Sequence, residues 1–252
     1  MIVKKIIVTT SWDDGHNLDL KTASLLKKYD LRGTFYIPKQ FNSRLTEEEI
    51  LEISKTQEIG AHTKSHASLT EIDLVSAKQE IDVSKKWLES LLGQPIKMFC
   101  YPRGLYNDQI KEEVRRAGFI GARSVLYGEE IKDPFELPVN LQIYPFPCRK
   151  RNARTLHWSK FLFQPLTRKF SVIRKNHLPW KSFLSWSNFA EQYFLSVLSR
   201  SGFLHLWGHS WEIEKYGMWG QLEKFLKVIS SRKDTLYLTN SEAIWYAHHG
   251  SN

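Results

Sequence analysis

The feature that most constrains the fold is an alternation of short apolar strands with helical segments along the first 125 residues. The run Ile6-Ile7-Val8-Thr9-Thr10 is rich in β-branched residues and predicts a buried strand. Apolar residues at helical spacing follow it and predict a helix over about 17–29. The same alternation continues, with strands predicted at 33–38, 58–61, 96–101 and 119–123 and helices at 46–56, 72–92 and 108–117. Such alternation is typical of a parallel sheet or barrel, whose ligand sites lie at the carboxyl ends of the strands.

The second half of the chain is less regular. A stretch from about residue 134 to 186 contains six prolines and many basic and aromatic residues. Regular elements resume after it, with helices predicted at 187–199, 220–229 and from Ser241, and strands at 202–207 and 236–238. The length of the whole chain, 252 residues, suits one large α/β domain.

Charge and composition narrow the partners and the location. The formal net charge of +9 favours anionic partners, but no nucleic-acid motif is present, so no nucleic-acid partner is expected. The amino-terminal residues lack the pattern of a signal peptide, and no stretch is apolar enough to span a membrane. Two cysteines are too few for a disulfide framework. We therefore expect a cytoplasmic location, with the inner membrane surface as an alternative.

Two adjacent carboxylates, Asp13 and Asp14, stand where the first strand ends, and Gly15 lets the backbone turn away. Neighbouring residues that leave a strand point in different directions, so the two carboxylates need not share one role. One reading is an acidic turn that caps the next helix, and the other is a site in which one carboxylate binds a metal and the other moves a proton.

A second candidate group is His62-Thr63-Lys64-Ser65-His66, just past a short strand. Two imidazoles four residues apart can lie on one helix face or converge from a turn, and imidazole suits zinc and similar ions. Histidine pairs at this spacing also arise by chance. With Asp14, the two histidines would give three ligands and leave positions open for water and substrate, as in catalytic metal sites.

Two further segments place polar groups at strand ends. The segment Tyr101-Pro102-Arg103-Gly104 follows a strand, and its backbone N–H groups either face the cleft or form an ordinary turn. The segment 204–212 ends with His209, Ser210, Trp211 and Glu212. His205 has apolar neighbours on that strand, which favours a histidine of the core over a catalytic one.

Taken together, these motifs in this order resemble the polysaccharide deacetylases, the carbohydrate esterase family 4 with its NodB homology domain. The motifs are Asp-Asp-Gly, His-Thr-x-x-His, Tyr-Pro-x-Gly, Ala-Arg-Ser and a late strand with a histidine. The resemblance covers about residues 5–125 and 200–245, and the first two motifs are its most specific part. It implies an α/β fold, namely a distorted (β/α) barrel with seven or eight strands.

The resemblance also implies roles for individual residues. Asp13 matches the general base, and Asp14, His62 and His66 match the ligands of one divalent metal, most commonly Zn²⁺, with Co²⁺ or Ni²⁺ as alternatives. Thr63 matches a hydroxyl residue that helps to hold the histidine loop. His209 is the best match for the general acid, with His205 as the fallback. We further assign Tyr101, Pro102 and Trp207 to substrate contact.

The chain departs from the family pattern at two places. The third motif commonly carries an arginine that contacts the base, and Cys100 stands at that position. We expect Arg103 to supply the missing charge and its backbone N–H to act as an oxyanion donor. The aspartate that orients the acid histidine is not evident, and Glu212 is the candidate substitute.

These assignments predict a hydrolase that removes N-acetyl groups from an N-acetylglucosamine-type sugar of a bacterial polysaccharide or glycolipid precursor. A related amidohydrolase on a non-glycan C–N bond and an inactive glycan-binding module are the alternatives. The catalytic domain is expected to span residues 1–252, with a basic, aromatic insertion at about 146–186 that lies outside the resemblance. Three roles are open for this insertion: a solvated loop or lid, peripheral contact with an anionic membrane or lipid-linked glycan, and a protein interface.

Overall fold

The computed structural model describes residues 5–149, 158–200 and 202–250. Nine strands occur in these ranges: β1 Ile6–Asp13, β2 Thr34–Ile37, β3 Glu58–Ala61, β4 Met98–Cys100, β5 Gly121–Tyr127, β6 Leu137–Val139, β7 Leu141–Gln142, β8 Phe203–Gly208 and β9 Thr235–Tyr237. The α-helices in the same ranges are α1 Asp19–Lys28, α2 Glu47–Ser54, α3 Leu74–Leu92, α4 Asp108–Arg116, α5 Trp158–Lys175, α6 Trp186–Ser199, α7 Ser210–Tyr216, α8 Trp219–Ile229 and α9 Asn240–His249.

All the strand pairings are parallel, and they follow the order β6-β5-β4-β3-β2-β1-β8-β7. Strand β1 lies at the centre: β8 pairs with one edge along most of its length, while the other edge pairs with β9 near its start and β2 near its end. Strands β6 and β7 belong to one segment, residues 137–142, which pairs with β5 at one end and with β8 at the other. This segment closes the sheet into a barrel.

Asn140 makes this closure possible, because it stands between β6 and β7 and supplies side-chain hydrogen bonds where the ladder is interrupted. Its Nδ2 donates to the carbonyl oxygen of Phe203 (2.6 Å), and its Oδ1 accepts from the backbone N–H of His205 (2.9 Å). The amide therefore satisfies backbone groups of β8 that would otherwise be buried without partners. The predicted fold class, a distorted (β/α) barrel, is confirmed.

Helices cover the outside of the barrel, and their boundaries follow local signals in the sequence. Thr46 and Thr239 cap α2 and α9 with reciprocal side-chain and backbone bonds to the glutamate three residues later. Asn107 caps α4, and Gly93 ends α3 in the left-handed conformation. Thr46, Asn107 and Thr239 thus define where their helices begin, and Gly93 defines where α3 ends.

The predicted strands and helices of residues 5–125 are all present, with ends that shift by at most four residues. Three features were not predicted. The segment 137–142 contains Pro138 and strands of only two or three residues, α7 begins directly after the turn at His209, and α5 carries Pro165 inside it. The predicted insertion at 146–186 lies partly outside the described residues, and its described part contains α5 and a 3₁₀ turn at Trp180–Phe183. Within the described ranges, none of the helices combines the length and apolar character needed to cross a bilayer.

Candidate active site

The carboxyl ends of the barrel strands surround a cavity of about 420 Å³. The residues that line it come from β1, β5 and β8, from the turns and loops after β1, β2, β3, β4 and β8, and from α7: Asp13, Asp14, Phe41, His62, His66, Tyr101, Arg103, Gly104, Arg123, Val125, Trp207, His209 and Trp211. Most of the residues predicted for the site therefore share one cavity, although the chain separates them by as many as 196 positions. The parallel barrel accounts for this, because the carboxyl ends of all its strands lie at the same rim.

The backbone directs Asp13 and Asp14 to different partners. Asp13 is the last residue of the extended strand β1, whereas Asp14 has φ +78° and Gly15 has φ +58°. A side chain at Gly15 would also place its Cβ 2.6 Å from Cγ2 of Ile37, so glycine is required there for space as well as conformation. The turn sends the Asp14 carboxylate towards the histidine loop and leaves Asp13 facing β5.

Asp14, His62 and His66 form a group whose ligand atoms all lie within 4.8 Å of one another. Oδ1 of Asp14 is 3.8 Å from Nε2 of His62 and 3.4 Å from Nε2 of His66. The histidines converge from a turn rather than a helix, since Thr63 and His66 have positive φ. The other carboxylate oxygen of Asp14 accepts a hydrogen bond from Nε1 of Trp211 (2.9 Å).

The surroundings of the two imidazoles prepare them as ligands. Nδ1 of His62 lies 2.8 Å from the carbonyl oxygen of Cys100, an arrangement that leaves Nε2 with its lone pair towards Asp14 when Nδ1 carries the proton. Burial lowers the pKa of His62 to about 4 and also lowers the pKa of His66. Both rings are therefore neutral near pH 7, which is the form that binds metal.

A second set of donors, Asp13, His62 and Cys100, also meets the distance requirement for a metal. Two observations favour the Asp14 set. Burial raises the pKa of the Cys100 thiol well above its usual range, so the thiolate that a metal needs is disfavoured. The Asp13 carboxylate is already engaged by a guanidinium.

That guanidinium belongs to Arg123, and it is the main correction to the sequence-based assignment. We expected Arg103 to supply the charge beside Asp13, but the group that donates to the Asp13 carboxylate is Arg123. Arg123 is fully buried on β5, at the position that pairs with Cys100 of β4. Burial raises the pKa of Asp13, but Arg123, with smaller contributions from His62 and His209, holds that pKa below its usual range.

His209 lies across the cavity from the two aspartates. Its Nε2 is 3.9 Å from the nearest carboxylate oxygen of each, and its Nδ1 is 2.7 Å from Oε2 of Glu212. Burial alone would lower the pKa of His209, but the hydrogen bond to Glu212 and the two aspartates raise it to about 9. The histidine is thus protonated at neutral pH in this arrangement, as a general acid must be.

His205, the fallback for the general acid, does not reach the cavity. It is completely buried in β8, where its Nε2 is 2.6 Å from Oγ of Ser11 and its Nδ1 is 2.7 Å from the carbonyl oxygen of Pro138. Burial lowers its pKa to about 3, so it stays neutral. The structure therefore places His205 in the core, and His209 is the histidine of β8 and its exit that lines the cavity.

The three residues assigned to substrate contact occupy different positions. Trp207 lines the cavity, with its ring centroid 5.8 Å from that of His209. Tyr101 also lines it but is fully buried, and its hydroxyl donates to the carbonyl oxygen of Phe135 (3.1 Å). Pro102 is buried in the 3₁₀ turn Pro102–Gly104 and is absent from the described lining of the cavity.

The turn after β4 still brings Arg103 to the cavity. Arg103 has φ +57° and Gly104 has φ +71°. A Cβ at Gly104 would lie 2.2 Å from Cγ2 of Val125, so this position requires glycine for the turn to pack against β5. Besides Arg123, three lining residues were not anticipated as part of the site: Phe41, Val125 and Trp211. Of these three, only Trp211 lies in the same short segment as a predicted site residue, two positions after His209.

The comparison with known families finds a match in the first half of the chain. Residues 2–122 match the sequence model of the family described as polysaccharide deacetylase. The match covers 121 of the 252 residues and includes Asp13, Asp14, His62 and His66. This similarity supports a hydrolase that deacetylates carbohydrate, as the motifs predicted. A search of curated protein sequences finds no significant match.

Solved structures extend the likeness to the whole chain at the level of the fold. A Mycobacterium smegmatis protein assigned to the polysaccharide deacetylases is 15% identical, with a TM-score of 0.70 over 99% of this chain and 93% of that one. The Puue allantoinase is 11% identical, with a TM-score of 0.67 over 100% of this chain and 94% of that one. The Streptococcus pyogenes deacetylase PplD, solved with acetate, is 22% identical, with a TM-score of 0.48 over 52% of this chain, and the match spans 61% of that protein's length.

Proposed function

We propose that this protein is a metal-dependent N-deacetylase acting on N-acetylglucosamine-type sugars of a bacterial polysaccharide or glycolipid precursor. One observation carries the proposal: the donors of Asp14, His62 and His66 meet in the same cavity as a charge-paired Asp13 and a Glu212-bound His209. Three metal donors, a base and an acid are the parts that hydrolysis of an unactivated amide requires.

The donor set fits a divalent ion such as Zn²⁺, with Co²⁺ or Ni²⁺ as alternatives. One carboxylate and two neutral imidazoles give three ligands and leave open positions, and the bond from His62 to the Cys100 carbonyl supplies the outer-shell partner that ligating histidines usually have. Asp14, His62 and His66 would hold the ion. When bound, it would polarise the amide carbonyl and lower the pKa of water in the site.

Asp13 is the proposed general base. The Arg123 charge keeps its carboxylate ionised although the side chain is buried, so it is ready to accept a proton. Its Oδ1 is buried without a hydrogen-bond partner among the described residues, whereas Oδ2 is held by Arg123. Oδ1 is therefore the oxygen available to take the proton from water as its oxygen attacks the carbonyl carbon.

His209 is the proposed general acid. Its Nδ1 contact with Glu212 orients the ring, and Nε2 faces the cavity side on which Asp13 and Asp14 lie. The proton on Nε2 passes to the amide nitrogen as the C–N bond breaks, which gives acetate and a free sugar amine. This is the role that a histidine with a raised pKa can perform at neutral pH.

The remaining assignments concern substrate. Trp207 offers an aromatic surface next to His209, which suits the apolar face of a sugar ring. Arg103 also lines the cavity, and its backbone N–H is the proposed donor to the developing oxyanion. The catalytic domain proposed for this activity spans the whole chain, with residues 146–186 as an insertion.

An acetate-release screen tests the proposal. N-acetylated oligosaccharides, lipid-linked sugars and nucleotide sugars are incubated with protein reloaded with zinc, cobalt or nickel, and released acetate is quantified. We expect turnover that depends on added metal and falls by about 10²–10⁴-fold in Asp13→Asn, the typical contribution of a positioned base. Full activity in Asp13→Asn or in His66→Ala would contradict the proposal.

A hydrolase of a non-glycan C–N bond is the second candidate, because an allantoinase shares this fold over the full length of the chain. The same screen separates the two when cyclic ureides and simple acyl amides are added. Release of acetate from sugars favours the first candidate, whereas turnover of the ureides alone favours the second. Absence of any turnover with a bound metal ion would favour a glycan-binding module.

A further inference from the structure

The net positive charge of the chain comes from one segment, residues 137–190. Residues 137–190 contain ten lysines and arginines and no aspartate or glutamate, whereas the rest of the chain contains 26 basic and 27 acidic residues. Nearly all of the net charge of +9 is therefore concentrated in about a fifth of the chain. A block of this kind attracts anions and cannot neutralise itself internally.

Part of this segment lines a second, smaller cavity beside the candidate active site. The cavity has a volume of about 80 Å³ and lies between the end of β7 and the helices α5 and α6. Its lining combines three cationic side chains and two amides with aromatic rings and prolines: Gln142, Tyr144, Pro145, Phe146, Arg149, Gln164, Pro165, Arg168, Lys169, Trp186 and Phe189. The cavity is large enough for one small oxygen anion, which compares with a volume of about 30 Å³ for one water molecule.

Aromatic and amide groups contact two of the cations of this cavity, Arg149 and Lys169. Arg149 donates to Oε1 of Gln164 (3.1 Å) and lies 4.7 Å from the ring centroid of Tyr144. Nζ of Lys169 lies 5.7 Å from the ring centroid of Phe189. In the part of the chain that the structure describes, no carboxylate forms an ion pair with Arg168 or Lys169.

The charges of this cavity crowd one another. Burial and the neighbouring Arg168 together lower the pKa of Lys169 to about 8. A bound anion would relieve that repulsion and favour the charged lysine, as a neighbouring opposite charge does in proteins.

Tyr144 connects the two cavities. Gln142 at the end of β7 pairs with Trp207 of β8, and neighbouring strands lie about 5 Å apart. Tyr144 lines the cationic cavity, and its ring centroid lies 5.5 Å from that of Tyr216, at the end of the helix that begins after His209. Tyr144 is also close enough to Glu212, the partner of His209, for the two groups to interact electrostatically. The pairing of Gln142 with Trp207 and the contact of Tyr144 with Tyr216 therefore place the cationic cavity and the candidate active site on neighbouring elements of the barrel.

We infer that this cationic cavity is an anion subsite, which binds a phosphate or carboxylate group that the substrate carries next to its N-acylated sugar. The inference rests on the proposed function and narrows it, because it selects anionic glycans over neutral ones. The shared chemistry is an oxygen anion held by Arg168, Lys169 and Arg149 against an aromatic wall.

Binding of inorganic phosphate tests the subsite independently of turnover. Titration calorimetry is performed on the full chain, on the double variant Arg168→Gln/Lys169→Met and on Arg174→Ala. Arg174 is an exposed arginine of the same helix that does not line the cavity, so it controls for bulk charge. We expect saturable binding that is at least tenfold weaker in the double variant and unchanged in Arg174→Ala. Equal weakening in both variants, or no saturable binding to the parent, would overturn the subsite.

Kinetics then identify the source of the anion. N-acetylated oligosaccharides of matched length, either neutral or carrying carboxylate or phosphate groups, are compared in KM and kcat. The subsite predicts a KM about tenfold lower for an anionic series, and this advantage disappears in the double variant but persists in Arg174→Ala. Binding of phosphatidylglycerol vesicles is measured for the same proteins. If KM is equal for neutral and anionic glycans, and only the parent and Arg174→Ala bind the vesicles, the cavity would be assigned to a lipid headgroup and the inference overturned. Lack of turnover on every substrate would contradict the proposed function but leave the phosphate titration decisive for the subsite.

Discussion

The guanidinium of Arg123 donates to the carboxylate of Asp13, although the two residues are 110 positions apart and lie on different strands. Arg123 pairs across β4 and β5 with Cys100, the position at which the family pattern carries an arginine. The positive charge beside the proposed base is therefore supplied from the adjacent strand. Although the third motif carries Cys100 instead of an arginine, Asp13 still has a cationic partner. The pairing of β4 with β5 places Arg123 beside Cys100, within reach of the Asp13 carboxylate.

This relationship predicts that Arg123→Met inactivates the enzyme through the protonation of Asp13. Without the guanidinium, burial dominates and raises the pKa of Asp13, so the carboxylate is lost as the pH falls. We expect the acidic limb of the kcat/KM profile to move to higher pH. We also expect the free energy of unfolding to fall by about 3–5 kcal/mol, because a buried charge loses its partner.

The matched control for this experiment is Arg103→Met, which removes a cavity-lining arginine that does not contact Asp13. Its acidic limb should stay where it is in the parent protein. A shifted limb in Arg103→Met with an unshifted one in Arg123→Met would show that the charge acting on the base comes from Arg103.

The choice between the two donor sets predicts a different response to two substitutions. Cys100→Ser should retain the bound metal, because the Asp14 set does not use the thiol. His66→Ala should weaken metal binding by at least tenfold, because it removes a ligand of the Asp14 set only. Metal content measured by mass spectrometry after dialysis checks both. Loss of the metal in Cys100→Ser with retention in His66→Ala would favour the set formed by Asp13, His62 and Cys100.

The contact between His209 and Glu212 predicts a pH dependence that can be followed in the metal-free protein. The His209 imidazole should titrate near pH 9 instead of near 6.5, and Glu212→Gln should lower its pKa. The folded state then binds a proton that the unfolded state has released, so this contribution to stability is complete below about pH 6.5 and is lost as the pH rises through 9. NMR titration of the imidazole in both proteins measures the shift, and an unchanged pKa in Glu212→Gln would contradict it.

His205 should be structural. Replacing it with leucine removes the hydrogen bonds to Ser11 and Pro138 and leaves buried polar groups without partners. We expect a loss of about 1–3 kcal/mol in the free energy of unfolding, measured by urea denaturation. The kcat at a temperature where the variant is folded should remain measurable, whereas His209→Ala should lose activity by about 10²-fold or more. The reverse order of the two variants would restore His205 as the acid.

The alternation of strands and helices made the barrel predictable, because each element up to residue 125 carries its own local signal. The closing segment 137–142 carries none: its strands are two or three residues long, and their pairing depends on the Asn140 amide, which bonds to a distant strand. Helix α5 was missed for a related reason, since a proline inside a segment argues locally against a helix.

The site residues also divide into those that the sequence predicts and those that depend on tertiary pairing. Asp13, Asp14, His62, His66 and His209 stand in motifs at strand ends, so their meeting in one cavity follows from the parallel topology. Arg123 could not be assigned in this way, because its role depends on cross-strand register rather than on spacing along the chain. The sequence favoured the arginine nearest the motif, Arg103, and the register of β4 and β5 selects the other one.

The central claim is that Asp14, His62 and His66 hold a metal ion on which amide hydrolysis by Asp13 depends. The most direct measurement is acetate release from an N-acetylated glycan by protein that has been stripped with a chelator and titrated with Zn²⁺. We predict that activity rises linearly to a stoichiometry of one ion per chain in the parent. Asp13→Asn should bind the same single ion but release acetate about 10²–10⁴-fold more slowly. Full activity in the stripped protein, or in Asp13→Asn, would contradict the account.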